Sequence, residues 1–207
     1  MVEKESVRRG YDDLAASYAR YRGDDGPGME LLGSFLDSLS DPARLLDAGC
    51  GQGSPVLSEL CEFAPAVGLD ISRTQLELAG ENAPSARRLQ GDLANLPFRE
   101  GSFDAVTAFH SLIHVPKGQH RTVVHEFARV LRPGGRVLLT EGTGEWTGTN
   151  PDWLDTGVEM QWHIAGADET RSQLRRAGFT LQAERVLPET AEGSDDGWTY
   201  FVARLEP

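Results

Sequence analysis

Nine residues, Leu45 to Gly53 (LLDAGCGQG), constrain the fold more than any other stretch of the chain. An apolar pair, an acid and three alternate glycines in one short run read as the end of a buried strand turning tightly into a helix. Glycine at positions 49, 51 and 53 strips side chains from the bend, so backbone N–H groups can approach a ligand that any Cβ would hold off. The turn is a site for a nucleotide-like cofactor, and the chain around it is an α/β protein.

The glycine spacing narrows the ligand. A dinucleotide turn wants G-x-G-x-x-G, its third glycine packing helix on strand and its helix N-terminus facing a pyrophosphate. Here the run is Gly49-Cys50-Gly51-Gln52-Gly53, with Asp47 just before it. A carboxylate is badly placed against a pyrophosphate, which weakens the reading as an NAD-dependent oxidoreductase without removing it. Downstream the pattern predicts a helix over 54–63, a strand from Ala66 to Asp70, and a helix capped by Ser72 that runs to about Glu81. Asp70 falls at the carboxyl end of a strand, about 20 residues after the glycine turn, where an acid accepts two hydrogen bonds from a ribose diol. An acid used only to cap the next helix is the plainer alternative.

Three further strings follow. Ala86 to Gln90 reads as a strand ending in Gly91-Asp92-Leu93-Ala94-Asn95-Leu96-Pro97-Phe98. Ser102 to Phe109 reads as a strand leading into His110-Ser111-Leu112-Ile113-His114-Val115. After a helix over Gln119 to Leu131, Arg132-Pro133-Gly134-Gly135 stops the helix and reverses the chain into a fifth strand. Together with the glycine turn, these strings resemble the motifs of the class I S-adenosylmethionine-dependent methyltransferases, in their expected order over Leu45 to Glu141, almost half of the chain. The resemblance implies a three-layer α/β sandwich whose seven-stranded, mostly parallel sheet has an antiparallel last strand. Phe179 to Leu187 and Trp198 to Leu205 would be the closing hairpin, joined by the polar loop Pro188 to Gly197.

The resemblance also implies S-adenosylmethionine as cofactor and assigns residues to it. Asp47, Gly49, Cys50, Gly51 and Gly53 would hold its amino acid end, Asp70 and Ile71 the ribose, Asp92 and Leu93 the adenine, and Phe109 would lie beside the reactive methyl. Val7 to Tyr21 carries an apolar and aromatic stripe at helical spacing and resembles the family's N-terminal lid helix. Tyr18 and Arg22 would then be near the cofactor's carboxylate, with Arg22 to Gly28 as the hinge; a helix merely packed on the sheet edge is the alternative. The expected division is one domain: lid helices over 1–40, a cofactor-binding core over 41–141, and an acceptor-pocket segment with the closing hairpin over 142–207.

The chemistry asks for alignment of a nucleophile behind the methyl carbon and exclusion of water, with a general base only where the acceptor is protonated. His110, His114 and His163 are the candidate bases, and for the first two substrate contact or loop structure is favoured over proton transfer. HSLIH lacks the acid of H-E-x-x-H and follows a strand, so no metal site is expected. Trp153, Met160 and Trp162 are either core residues or the lining of an acceptor pocket. No N-P-P-Y-like tetrad follows the fourth strand, which removes support for base or glutamine amide methylation of that type.

Composition limits the partners. The net charge of -12 repels phosphate backbones, so a small-molecule acceptor is expected rather than a nucleic acid. At 207 residues and 39% hydrophobic content the chain can bury one sizeable core, as a monomer or homodimer. No membrane-spanning run, a charged start without an apolar segment and only two cysteines, Cys50 and Cys61, give the expectation of a cytoplasmic protein with reduced thiols. A methyltransferase-like fold that binds cofactor without turnover is the remaining alternative.

Overall fold

The computed structural model describes residues 2–22, 28–39, 43–188 and 197–207. Helix α1 (Lys4–Arg22) and α2 (Met29–Asp37) precede an alternation of β1 (Leu45–Ala48), α3 (Val56–Phe63), β2 (Ala66–Asp70), α4 (Arg73–Asn82), β3 (Arg87–Gln90), β4 (Phe103–Ala108), α5 (Lys117–Val130) and β5 (Leu131–Gly142). A hairpin of β6 (Trp146–Asn150) and β7 (Met160–Ile164) follows, then α6 (Ala167–Arg176), β8 (Phe179–Leu187) and β9 (Trp198–Leu205). Seven strands form one sheet in the order β3-β2-β1-β4-β5-β9-β8. The first five are parallel, and β9 is antiparallel to both β5 and β8. This is the seven-stranded sandwich with an antiparallel last strand expected from the sequence motifs.

The layers follow from side-chain alternation along each strand. Leu46, Ala48, Val106, Leu139 and Phe201 pack with α5 and α6 residues such as Val124, Phe127 and Leu174. Their neighbours Leu45, Ala105, Leu138 and Tyr200 pack instead with Leu32, Leu57, Leu60 and Ala79 from α2, α3 and α4. Both faces of the sheet are therefore covered, which is why every residue of β1 and β4 is buried, Asp47, Asp104 and Thr107 included, rather than alternate ones. At the open edge β3 is exposed along its length, and the charged Arg87 and Arg88 make it a poor template for another strand.

Between β5 and α6 the structure departs from the sequence reading, which places no strand there. Residues 146–164 form a separate antiparallel hairpin, paired from Trp146↔Ile164 to Asn150↔Met160. Its first strand is mostly polar and exposed, so periodicity does not reveal it. The Trp146 ring covers Gly148 so closely that a Cβ there would lie 2.2 Å from it. Helix α5 also starts earlier than the sequence suggests, at Lys117, and Leu131 already belongs to β5. Residues 23–27 of the expected hinge Arg22 to Gly28 and 189–196 of the expected loop Pro188 to Gly197 lie outside the described residues, as does the Arg22 side chain.

Candidate functional site

Strand order reverses at β1, whose neighbours are β2 on one side and β4 on the other. In open α/β sheets ligands sit outside the carboxyl ends of the strands at such a switch point. A groove lies there, lined by Gly49 and Gly51 after β1, by Asp70, Ile71 and Gln75 after β2, by Gly91, Asp92 and Leu93 after β3, and by Phe109, His110, Ser111, His114 and Val115 after β4. Lys4, Val7, Tyr11 and Tyr18 of α1 close it from above. A smaller pocket continues it past Asp47, Cys50, Gln52 and Ser54, and shares Tyr18, Gly49, Gly51 and Phe109 with it.

The glycines of the turn do different jobs. Gly49 has φ +84° and a Cβ there would meet the Ser111 Cβ at 2.3 Å; Gly53 has φ +86° and sits 3.0 Å from the Ala79 backbone by the same measure. Both are held by backbone conformation and close packing. At Gly51 only the Gln75 Oε1 lies within 4 Å of the absent Cβ, at 3.8 Å, so this glycine leaves the groove wall bare. Gly53 backs the turn and does not line the groove.

Three acids stand around the turn in different electrostatic states. Asp47 is 2% exposed, and its carboxylate accepts the Thr107 hydroxyl at 2.8 Å. Burial pushes it up to about 7, against the lowering effect of that hydrogen bond. Asp70 accepts the N–H groups of Gly51 and Ser72, each at 2.8 Å; burial pushes it up to about 6, and the backbone donors oppose the rise. Those bonds leave each oxygen a second lone pair for a ligand hydroxyl. Asp92 accepts the Ala94 N–H at 2.9 Å with one oxygen and pairs with the Lys4 ammonium at 2.6 Å with the other. Burial, with Asp70 and Asp47 nearby, holds the Cys50 thiol protonated, well above its usual range.

The three candidate histidines separate into two that line the groove and one that does not. His114 Nδ1 lies 3.1 Å from the Gln161 carbonyl, an acceptor only, so Nδ1 carries the proton and Nε2 accepts the Tyr11 hydroxyl at 2.7 Å. His110 adopts φ +51°, unusual for a residue with a Cβ, with its N–H donating to Thr140 Oγ1 at 2.6 Å and its ring edge-on to Trp198 at 4.6 Å. His163 sits on β7, outside the groove lining, and its Nδ1 accepts the Lys117 N–H at 3.0 Å. That bond satisfies a free donor at the start of α5. Among the described residues no group of three His, Cys, Asp or Glu side chains is placed to hold a metal ion.

Tyr11, Lys4 and Gln75 are among the groove residues that escaped the sequence reading as site residues. Tyr11 was placed on an aromatic stripe, but only the fold brings it against His114, 103 positions away. Lys4 carries no motif at all. Gln75 is 1% exposed, and neither of its side-chain polar atoms has a hydrogen-bond partner among the described residues. An unpaired buried amide is costly, and it stands on the groove wall beside Gly51. Trp153 and Trp162 pack with Tyr11 and Tyr18 around the buried Met160, forming the contact between α1 and the hairpin.

The comparisons agree with this geometry. A family model described as a methyltransferase domain matches residues 46–139. The chain is 32% identical to a tRNA (carboxymethyluridine(34)-5-O)-methyltransferase of Arabidopsis thaliana, over 91% of this chain and 46% of that one. It is 33% identical to the 27-O-demethylrifamycin SV methyltransferase of Amycolatopsis mediterranei, over 79% and 62%. An uncharacterized methyltransferase of Synechocystis sp. is 32% identical over 70% of both chains. The chain thus spans 46% and 62% of the first two relatives' lengths. Among solved structures, the [4+2]-cyclase SpnF superposes with a TM-score of 0.74 at 20% identity, over 98% of this chain and 97% of that one, a likeness of fold. With the strand order and the glycine turn in place, these matches show that the chain belongs to the class I S-adenosylmethionine-dependent methyltransferases of the methyltransferase-domain family.

Proposed function

We propose that this chain methylates a small-molecule acceptor held beneath α1 and the β6–β7 hairpin, by in-line displacement with S-adenosylmethionine as donor. The observation that carries the reading is the single groove that gathers Gly49, Gly51, Asp70, Asp92 and Phe109, with Asp47 at its continuation, from four separate strand ends. The residues suit the donor. Asp47 is a buried acid for an ammonium, Asp70 an acceptor for a diol, Asp92 and the Leu93 N–H a pair for adenine, and the unpartnered Gln75 amide a further polar contact. When bound, the donor supplies a methyl group on a sulfonium, an electrophile that a nucleophile attacks from behind.

The rest falls to the chain's own side chains. Helix α1 acts as a lid, placing Tyr18 over the glycine turn and closing with Lys4, Val7 and Tyr11 along the groove. Tyr11 and His114 face the groove as a hydrogen-bonded pair, so His114 Nε2 takes the proton of a hydroxyl or amine acceptor, directly or through the Tyr11 hydroxyl. This makes His114 the preferred base over His110, whose left-handed backbone and contact with Trp198 suit a wall of the acceptor space.

A small acceptor is supported by two observations. Tyr11 and Tyr18 line the groove and pack with Trp153 and Trp162 in one aromatic cluster, and the net charge is strongly acidic. No described helix is long and apolar enough to cross a membrane. The Amycolatopsis relative is named for such a substrate, whereas the Arabidopsis relative is named for a tRNA. The test is incubation with methyl-labelled donor and a metabolite extract, with a bulk tRNA arm beside it. Label in a small molecule, lost in His114→Ala with donor affinity retained, supports the reading; label only in tRNA overturns it.

A further inference from the structure

Behind the groove, two buried groups that play no part in the proposed reaction face each other. His120 on α5 and Glu141 near the end of β5 are both 0% exposed, with His120 Nδ1 and Glu141 Oε2 3.8 Å apart and neither atom hydrogen-bonded to any other group among the described residues. Their remaining atoms reach in opposite directions. His120 Nε2 donates to the Val115 carbonyl at 2.9 Å, and the Leu112 carbonyl also faces the ring. Leu112 and Val115 are the two ends of the short 3-10 turn Leu112–His114. Glu141 Oε1 accepts the Gly142 N–H at 2.9 Å, and the Ala165 N–H faces the same carboxylate. Ala165 directly follows β7, the strand whose Gln161 carbonyl holds His114 Nδ1.

We propose that His120 and Glu141 share one buried proton and so clamp together the two segments that position His114. The bond to Val115 fixes the His120 proton on Nε2, which leaves Nδ1 able only to accept. A carboxylate facing it would be acceptor against acceptor, with both lone pairs desolvated; an approach of about 1 Å from the 3.8 Å separation lets a single proton between them satisfy both atoms. Loss of that proton leaves a buried negative charge against a lone pair, and the contact opens. The charged groups facing His120 are Lys117 at the start of α5 and His163 on β7, and both disfavour a second positive charge on its ring. Glu145 pairs with Lys117, while β9 presents the uncharged Thr199 opposite Glu141. Two protons on the pair are thereby disfavoured, as is none. His120 and Glu141 are positioning residues, and their functional meaning rests on the reading of His114 given above.

Amide hydrogen exchange and imidazole nitrogen spectra of the whole chain test the clamp without an acceptor. In the wild type, exchange over residues 112–117 and 160–166 should accelerate between pH 6 and 8.5 by about tenfold more than the intrinsic base-catalysed rate, and the His114 tautomer signal should broaden. Glu141→Gln, whose amide donates to Nδ1 at every pH, should abolish the excess and keep the His114 Nδ1–H tautomer. Glu141→Leu should show fast exchange at both pH values. Equal pH dependence in wild type and Glu141→Gln overturns the proposal, and this comparison stands even if the leucine variant does not fold. If His114→Ala retains methyl transfer, the role of His114 falls while the clamp itself is still decided by the exchange data.

Discussion

At the scale of single residues, the site is built from groups whose preferred state without ligand is a poor one. Asp47 is a buried acid pushed up to about 7, so near neutrality much of it holds a proton. An ammonium beside it favours the ionised form, and binding therefore releases a proton. The affinity for S-adenosylhomocysteine, measured by calorimetry, should rise between pH 6 and 7.5, and the slope should vanish in Asp47→Asn together with most of the affinity. Gln75 presents the same logic without charge. Gln75→Met removes an unpaired buried amide, which should raise the melting temperature of the free protein, while the loss of its bonds to ligand should weaken binding by about fivefold to tenfold, or ~1–1.4 kcal/mol. A variant changed in neither property would show Gln75 to be mere packing. The glycine turn, Asp70 and Asp92 were legible in the sequence because each sits at a fixed offset from a strand end. Gln75 was not, since a glutamine on the first turn of a helix carries no signal until its neighbours are known.

At the scale of elements, α1 packs on the hairpin through its aromatic cluster and meets the groove side of the sheet through polar contacts. Lys4 pairs with Asp92, Asp12 accepts the Ser72 hydroxyl at 2.7 Å and the Thr74 N–H at 3.2 Å, and Tyr11 meets His114. The Asp12 contacts lie at the start of α4, where a carboxylate also meets the positive end of the helix dipole. Partly exposed charge pairs are each worth roughly 0.5–1 kcal/mol and weaken with salt. Stopped-flow release of S-adenosylhomocysteine should therefore quicken several-fold in Asp12→Ala and with added salt, and Lys4→Met should lose part of the salt response. Release independent of both would mean that α1 is not a lid. The helix itself was readable from its aromatic stripe, but its docking was not, because the hairpin that receives Tyr11 and Tyr18 has a mostly polar first strand. That strand is held by cross-strand pairing and by Trp146 over Gly148, interactions that a linear pattern does not record.

At the scale of the whole molecule, three acids bear on how stability depends on pH. Burial raises Asp47, Asp70 and Glu141 to about 7, 6 and 7, so the folded state holds protons that the unfolded chain gives up at ordinary carboxylate values. The stability they contribute is fully present below about pH 4 and is lost as pH rises through 6 to 7. His120, lowered by burial, and Asp104, lowered by Arg132 and the Arg44 backbone against the effect of its own burial, act in the opposite sense at lower pH. Comparing variants isolates the sign: the excess of Asp47→Asn with Glu141→Gln over the wild type in urea unfolding should grow from near zero at pH 4 to several kcal/mol, roughly 5–7 from the two shifts, at pH 8. An equal difference at both pH values would contradict the buried-acid account. The sequence by itself marked most of the strands and the glycine corner, because apolar runs, glycine turns and helix caps are local, and its resemblance to the methyltransferase motifs implied the seven-stranded sheet, whose strand order came with the structure. Only the tertiary structure decided that Tyr11 meets His114, that Lys4 covers Asp92, and that His120 faces Glu141. Those pairings join positions 21 to 103 residues apart, and their energies depend on burial and separation that exist only once the sheet and its helices have closed. The glycine turn thus fixed where the ligand corner is, and packing decided which side chains surround it.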